Sequence, residues 1–74
     1  MTYDEMIGAA LKTETREDVL DSIDCCREYL EDAADFKADP SAFGPWAHAF
    51  DAKSVAFAEE QLAFELDVLA RIDA

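Results

Sequence analysis

Residues 16–36 read REDVLDSIDCCREYLEDAADF and carry the clearest helical pattern in this 74-residue chain. Apolar residues recur in steps of four and three, which places them on one face of an α-helix. Thr15 precedes the pattern and is a favoured N-cap residue, and the acidic residues after it suit the first turn of a helix. The stretch therefore predicts an amphipathic helix whose apolar face is formed by Val19, Ile23, Cys26, Leu30 and Ala33.

Helical patterns also occur on both sides of this stretch. Residues 3–12 repeat apolar side chains at helical spacing. Residues 37–45 contain both prolines and Gly44, which indicates a connection. Residues 46–72 then carry a second apolar seam, within which Asp51 is a candidate N-cap, so that one continuous helix and two pieces are both compatible with the pattern. The second seam is formed by Val55, Ala58, Leu62, Leu66 and Leu69.

The predicted fold class is all-α. We expect a small three-helix bundle in a single acidic domain, with the seams of the second and third helices facing each other and the first helix closing the groove. The hydrophobic share of 51% is enough for a core. Chains of this size still bury only about 60% of their unfolded surface, so the expected stability is marginal. The expected elements are helices at about 3–12, 16–36 and 46–72, joined by a Pro/Gly-containing connection at 37–45.

The charge of the chain limits its partners. Eighteen Asp and Glu oppose six Lys and Arg, which gives a formal net charge of −12. Such a field repels nucleic acid and anionic membranes and attracts basic surfaces. No apolar run is long enough to span a bilayer, and the first residues lack the layout of a signal peptide. We therefore expect a cytoplasmic protein (in the host cytoplasm if phage-encoded) that binds a basic, nucleic-acid-binding protein and neither nucleic acid nor membrane directly.

The acidic residues of the central stretch form a stripe opposite its apolar face. Six of them step by four and three, fall within an arc of about 80° and span about 27 Å, and Asp32 extends this sector. The only basic residue between Glu17 and Asp35 is Arg27, which lies toward the edge of the apolar face. Either this is a solvated or halophilic surface, or it is a binding face whose charge density resembles that of a nucleic-acid strand. The predicted partner-binding residues are Glu17, Asp21, Asp24, Glu28, Glu31, Asp32 and Asp35.

The five phenylalanines lie seven residues apart. Three of them can share the third predicted helix, on a side about 150° from its apolar seam. Because a surface helix needs only one apolar side, the second is either buried beneath the first helix and the connection or exposed for dimerisation or docking. The predicted interface residues of this aromatic face are Trp46, Phe50, Phe57, Phe64 and Val68.

Motifs for catalysis, metals and cofactors are missing from the sequence. His48 is the single histidine, and it has no zinc-ligand spacing with Cys25 and Cys26. Adjacent cysteines on a helix point about 100° apart, which disfavours a disulfide between them. Gly8 and Gly44 are the only glycines, so there is no glycine-rich phosphate loop. We predict a protein without enzymatic activity, catalytic residues, bound metal or cofactor.

In size, charge and helical character, the chain resembles small acidic inhibitors, including DNA mimics and phage-encoded anti-defence proteins of the anti-CRISPR type. This likeness is one of composition and involves no motif. It implies an inhibitor that blocks a basic nucleic-acid-binding surface of its partner. The alternative is an accessory or adaptor protein of an acidic, halophilic proteome that dimerises or docks through its aromatic face. A further alternative is an antitoxin or immunity protein.

Overall fold

Helices account for nearly all of the chain in the computed structural model, which describes residues 1–74 apart from the side chain of Trp46. No strand occurs among the described residues, and the predicted all-α class is confirmed. None of the described helices combines the length and the apolar character that crossing a lipid bilayer requires. In chain order, the elements are α1 (Tyr3–Thr13), α2 (Arg16–Ala38), a 3₁₀ segment (Pro40–Phe50) and α3 (Ala52–Ile72).

Side-chain caps fix where each α-helix begins. The hydroxyl of Thr2 accepts a hydrogen bond from the backbone N–H three residues later. Thr15 and Asp18 form a reciprocal capping box at the start of α2, with two hydrogen bonds of 3.2 Å. Asp51 Oδ1 accepts the N–H of Ser54 at 2.7 Å. Each cap satisfies a backbone donor that has no partner within the helix, so the sequence defines these boundaries locally.

The predicted helix over residues 46–72 is wrong at its beginning, because α3 starts at Ala52. Asp51 has an extended backbone and caps α3, which separates α3 from the residues before it. Those residues belong to the 3₁₀ segment, which is interrupted at Gly44 with φ 51° and ψ −123°. Glycine suits this left-handed backbone because it has no Cβ. The two-piece alternative for this region is therefore confirmed, and the connection is itself helical.

The core lies where α3 meets both α2 and α1. The most extensive contact between two helices is that of α2 with α3, and α1 also packs against α3. Glu65 is the one charged residue buried among the described side chains, at 2% exposure. Leu62, Phe64, Leu69 and Ile72 of α3 pack around the core without being fully buried. The buried apolar residues are Ile7, Ala10, Val19, Ile23 and Val68.

The buried side of α3 differs from the predicted seam. Leu66, a predicted seam residue, is 39% exposed, whereas Val68 is 0% exposed and Glu65 is also buried. At 100° per residue, the direction midway between Glu65 and Val68 is rotated by roughly 90° from the centre of the seam. The physical reason is that α3 packs on two neighbours, so its most buried residues point into the wedge between α2 and α1.

The helices form a thin, elongated layer. Its dimensions are 43 × 24 × 16 Å and its radius of gyration is 14.5 Å. A compact domain of this length has a radius of gyration of about 11 Å. The chain exposes 5308 Å², whereas a compact monomer of its mass exposes roughly 4,500 Å². Apolar side chains consequently remain on the surface, including Tyr3, Met6 and Phe57.

Candidate binding faces

The acidic face is the side of α2 that points away from the core. It is a regular α-helix of 23 residues, so its carboxylates stand in a straight row about 27 Å long. The row carries roughly one charge for every 4–5 Å of helix. One strand of B-DNA carries one phosphate for about every 3.4 Å of its axis. All seven residues predicted for this face are exposed, namely Glu17, Asp21, Asp24, Glu28, Glu31, Asp32 and Asp35.

The chain's own cations leave the acidic face unneutralised. Arg16 pairs with Asp73 at 2.9 Å, and Arg71 pairs with Asp4 at 3.0 Å, and both ion pairs lie outside the acidic face. Arg27 is exposed on α2 and forms no ion pair with a described side chain. The carboxylates of the acidic face are therefore available to a basic group from another molecule.

The residues of the predicted aromatic face do not share one surface. Phe50 is the first that lies elsewhere. Phe50 belongs to the 3₁₀ segment and stacks on Tyr29 and Phe36 of α2, with ring centroids 5.2 and 5.6 Å apart. Phe43 contacts the same ring edge-on at 5.4 Å. The Tyr29 hydroxyl donates a hydrogen bond to the carbonyl of Ala49. This aromatic cluster holds the 3₁₀ segment against α2, so Phe50 contributes to the fold.

Two more predicted interface residues also pack internally. Phe64 is half-buried and meets Tyr3 of α1 edge-on, with ring centroids 5.8 Å apart. Val68 is fully buried in the core, so its assignment to an exposed face is wrong. The reason is that α1 covers this side of α3, as the burial alternative for the aromatic face predicts. Trp46 was assigned to the same face, and its side chain lies outside the described residues.

Phe57 is the described residue of the predicted aromatic face that is exposed to solvent, with 66% of its surface accessible. It forms a ridge between two apolar grooves on the same face of the molecule. The first groove, of about 630 Å³, lies between α2 and α3. The second, of about 490 Å³, lies between α1 and α3 and includes Met6 and Phe64. We call the first one the Phe57 groove, and its other walls include Cys25, Tyr29, Ala49, Lys53, Ala58 and Gln61.

Glu65 was not predicted as a functional residue and is the most unusual ionisable group in the core. Its Oε1 accepts a hydrogen bond of 3.1 Å from Nε2 of Gln61, while its Oε2 has no partner among the described groups. Burial raises the pKa of this carboxyl, and the charge of Glu14 raises the pKa further. Its position three residues from both Leu62 and Val68 is the sequence signal that could have revealed its burial.

The two cysteines have different environments. Cys25 is exposed, Cys26 is half-buried, and neither forms a disulfide. Burial raises the pKa of the Cys26 thiol, and the nearby Glu65 carboxylate adds to this effect. A raised thiol pKa lowers the thiolate fraction and therefore the reactivity of Cys26. Among the described residues, no group of three His, Cys, Asp or Glu side chains could hold a metal ion.

The described side chains thus offer two surfaces of different chemistry. The acidic face is charged and exposed, and the surface around Phe57 is apolar and concave. Electrostatic attraction suits the first surface, and burial of apolar area suits the second. No protein-family model, curated protein or solved structure matches this chain.

Proposed function

We propose that this chain is a non-enzymatic binding protein whose acidic face occupies a basic, nucleic-acid-binding surface of a partner protein. In this role it acts as an inhibitor, because the partner cannot hold the acidic face and nucleic acid at the same time. The observation that carries the proposal is the row of seven exposed carboxylates on one continuous helix, with no described cation of the chain paired to it.

The chemistry of carboxylates supports this role. A carboxylate accepts two parallel hydrogen bonds from an arginine, as a phosphate does, and also pairs with lysine. Arginine and lysine side chains arranged for a phosphate backbone can therefore bind the acidic face. The helix holds its carboxylates in a fixed row before binding, so less conformational entropy is lost than in an acidic tail that must order itself.

The cost of this arrangement also supports a binding role. Like charges three or four residues apart destabilise a helix by roughly 0.2–0.5 kcal/mol for each pair. Most solvated helix faces reduce this cost by interleaving Lys and Arg with the acids. The carboxylates of the acidic face have no such interleaved cations and therefore repel one another. Attraction to a basic partner offsets this repulsion in the complex.

A capture and competition experiment tests the proposal. The immobilised chain is used to recover proteins from a nuclease-treated cell extract, and each recovered protein is then tested for binding to labelled nucleic acid. We expect the chain to displace the nucleic acid competitively. A variant with D24K, E28K and E31K should lose at least about tenfold in displacement, the size of effect expected for close interfacial charge pairs.

The control variant carries the same change of charge elsewhere. Glu5, Glu59 and Glu60 are exposed and lie on α1 and α3, so E5K, E59K and E60K change the net charge equally. This variant should retain most of the displacement. If the recovered proteins do not bind nucleic acid, or if both variants weaken equally, the proposed role of the acidic face is wrong.

Adaptation to a saline cytoplasm is the second candidate explanation of the charge. Under that alternative, the acids keep the surface hydrated and the chain works as an adaptor through its apolar surface. The exposure of Phe57 favours this alternative. A thermal melt as a function of salt separates the two, since a halophilic protein needs molar salt to fold.

A further inference from the structure

Phe57 and the Phe57 groove form a projection and a depression on the same surface. The ring of Phe57 is 66% exposed on α3. The groove beside it is lined by Tyr29 of α2, Ala49 of the 3₁₀ segment and Ala58 of α3. A two-fold symmetric interface requires one surface to present both a projection and the depression that accepts it. This surface meets that requirement.

The exposed area of the chain is large enough for one interface with another protein chain. The chain exposes 5308 Å², on the order of 800 Å² more than a compact monomer of 8.2 kDa. A standard protein interface buries about 800 Å² on each partner. The excess is therefore enough for one interface of standard size.

The walls of the groove favour an uncharged side chain over a basic one. The described groove walls contain no carboxylate, and Lys53 is the one charged residue among them. A basic side chain would be repelled by Lys53 and would find no described acid to pair with inside the groove. A second copy supplies an uncharged aromatic side chain of the required kind, its own Phe57, whose burial stabilises the complex.

We propose that two copies of this chain form a symmetric homodimer in which Phe57 of each copy inserts into the Phe57 groove of the other. At 100° per residue, Cys25 and Tyr29 lie about a quarter turn from the centre of the acidic face. The dimer consequently leaves the centre of both acidic faces open to solvent, while Asp21 and Asp32 lie within about 40° of Cys25, at the edge of the interface. This pairing does not depend on the proposed inhibitory function, since it needs no other protein.

The test is a measurement of molecular mass by sedimentation equilibrium on the purified chain, over a range of concentrations and with a reductant to keep Cys25 reduced. We expect twice the monomer mass of 8.2 kDa. We also expect association to strengthen with salt, because salt screens the repulsion between two chains of charge −12. The Phe57→Ser variant should raise the dimer Kd at least about tenfold, as expected for an aromatic side chain central to an interface.

Two further variants separate loss of pairing from loss of folding. Lys53 lies in the first turn of α3, where an acidic residue stabilises a helix, so Lys53→Glu should fold. It should still weaken the dimer, because it changes the net charge of each chain from −12 to about −14 and so increases the repulsion between the copies. Leu66 is 39% exposed and lines neither groove, so Leu66→Ser should leave the dimer intact. A monomeric wild type, an open-ended assembly, or equal association of the Phe57 and Leu66 variants would overturn the proposal.

Discussion

Gln61 donates a hydrogen bond of 3.1 Å from Nε2 to Oε1 of Glu65, while Oε2 of that buried carboxylate has no partner among the described groups. Gln61 also lines the Phe57 groove, so this hydrogen bond connects the core to the apolar surface. Burying an unpaired charge is unfavourable unless hydrogen bonds replace its hydration. Glu65 therefore weakens the fold in its ionised form, and burial accordingly raises the pKa of its carboxyl.

Replacing Glu65 with glutamine should stabilise the protein at pH 7. The change removes the ionisable group and keeps a carbonyl oxygen that accepts the Gln61 hydrogen bond. We expect the free energy of unfolding to rise, but by less than the roughly 1–3 kcal/mol of an unsatisfied buried polar group, because the new amide N–H₂ replaces Oε2 and also has no described partner. Urea denaturation measures this change. Glu59→Gln removes an exposed charge from the same helix and should change stability by less than about 0.5 kcal/mol.

The stabilising effect of Glu65→Gln should depend on pH. Because the pKa of Glu65 is raised in the folded state, folding favours its protonated form. The contribution of wild-type Glu65 to stability is fully present below its unfolded pKa and is lost as the pH rises through its folded pKa. The difference between the variant and the wild type should thus shrink as the pH falls. A constant difference from pH 7 to pH 4, measured by urea denaturation, would contradict this account of Glu65.

The cap at Asp51 should determine where α3 begins. Its hydrogen bonds with Ser54 lower the pKa of Asp51, so the ionised form is the one that caps. Asp51→Ala should lower the midpoint of thermal unfolding by several degrees at pH 7. The cap's contribution is present above the unfolded pKa of Asp51 and is lost as the pH falls through its folded pKa. The midpoints of variant and wild type should therefore converge in acid.

Asp39→Ala is the matched control for this cap. It removes the same charge, but the side chain of Asp39 caps no backbone N–H of the 3₁₀ segment and instead accepts a hydrogen bond from the exposed hydroxyl of Ser41. Its midpoint should fall less than that of Asp51→Ala. Equal effects of the two substitutions in circular dichroism melts would mean that the Asp51 cap has no particular importance.

The acidic face should reduce stability as long as no partner is bound. Replacing Asp24, Glu28 and Glu31 with their amides removes several like-charged pairs along α2, each worth roughly 0.2–0.5 kcal/mol. We expect a higher midpoint of unfolding at low salt and a smaller gain at high salt, where screening already weakens the repulsion. Melts in 10 mM and 1 M salt measure both effects. A lower midpoint for the amide variant at low salt would mean that these carboxylates stabilise the isolated chain.

Local patterns were sufficient to predict the three α-helices, apart from the start of α3. The capping box of Thr15 and Asp18 and the apolar steps from Val19 to Ala33 define α2, whose start at Arg16 is as predicted. The acidic face followed from the same periodicity, since a regular helix that buries one side must expose the opposite side. Its exposure is a matter of geometry, and its binding role remains a prediction.

The orientation of α3 could not be predicted from its own pattern. Two apolar sides of one helix permit several rotations, and the position of α1 selects the one that buries Val68 and Glu65. The break before α3 likewise separates Phe50 from Phe57, although their spacing of seven is typical of a shared helix face. Such outcomes depend on contacts between elements, which local periodicity does not encode.

The most direct test of the acidic face compares affinities for a captured partner at several salt concentrations. The chain with D24N, E28Q and E31Q is measured beside the chain with E5Q, E59Q and E60Q, which removes the same number of charges from other helices. We predict that the first variant binds at least about tenfold more weakly and shows a shallower salt dependence, while the second stays close to the wild type. Equal affinities and equal salt dependences for the two variants would contradict a binding role for this face.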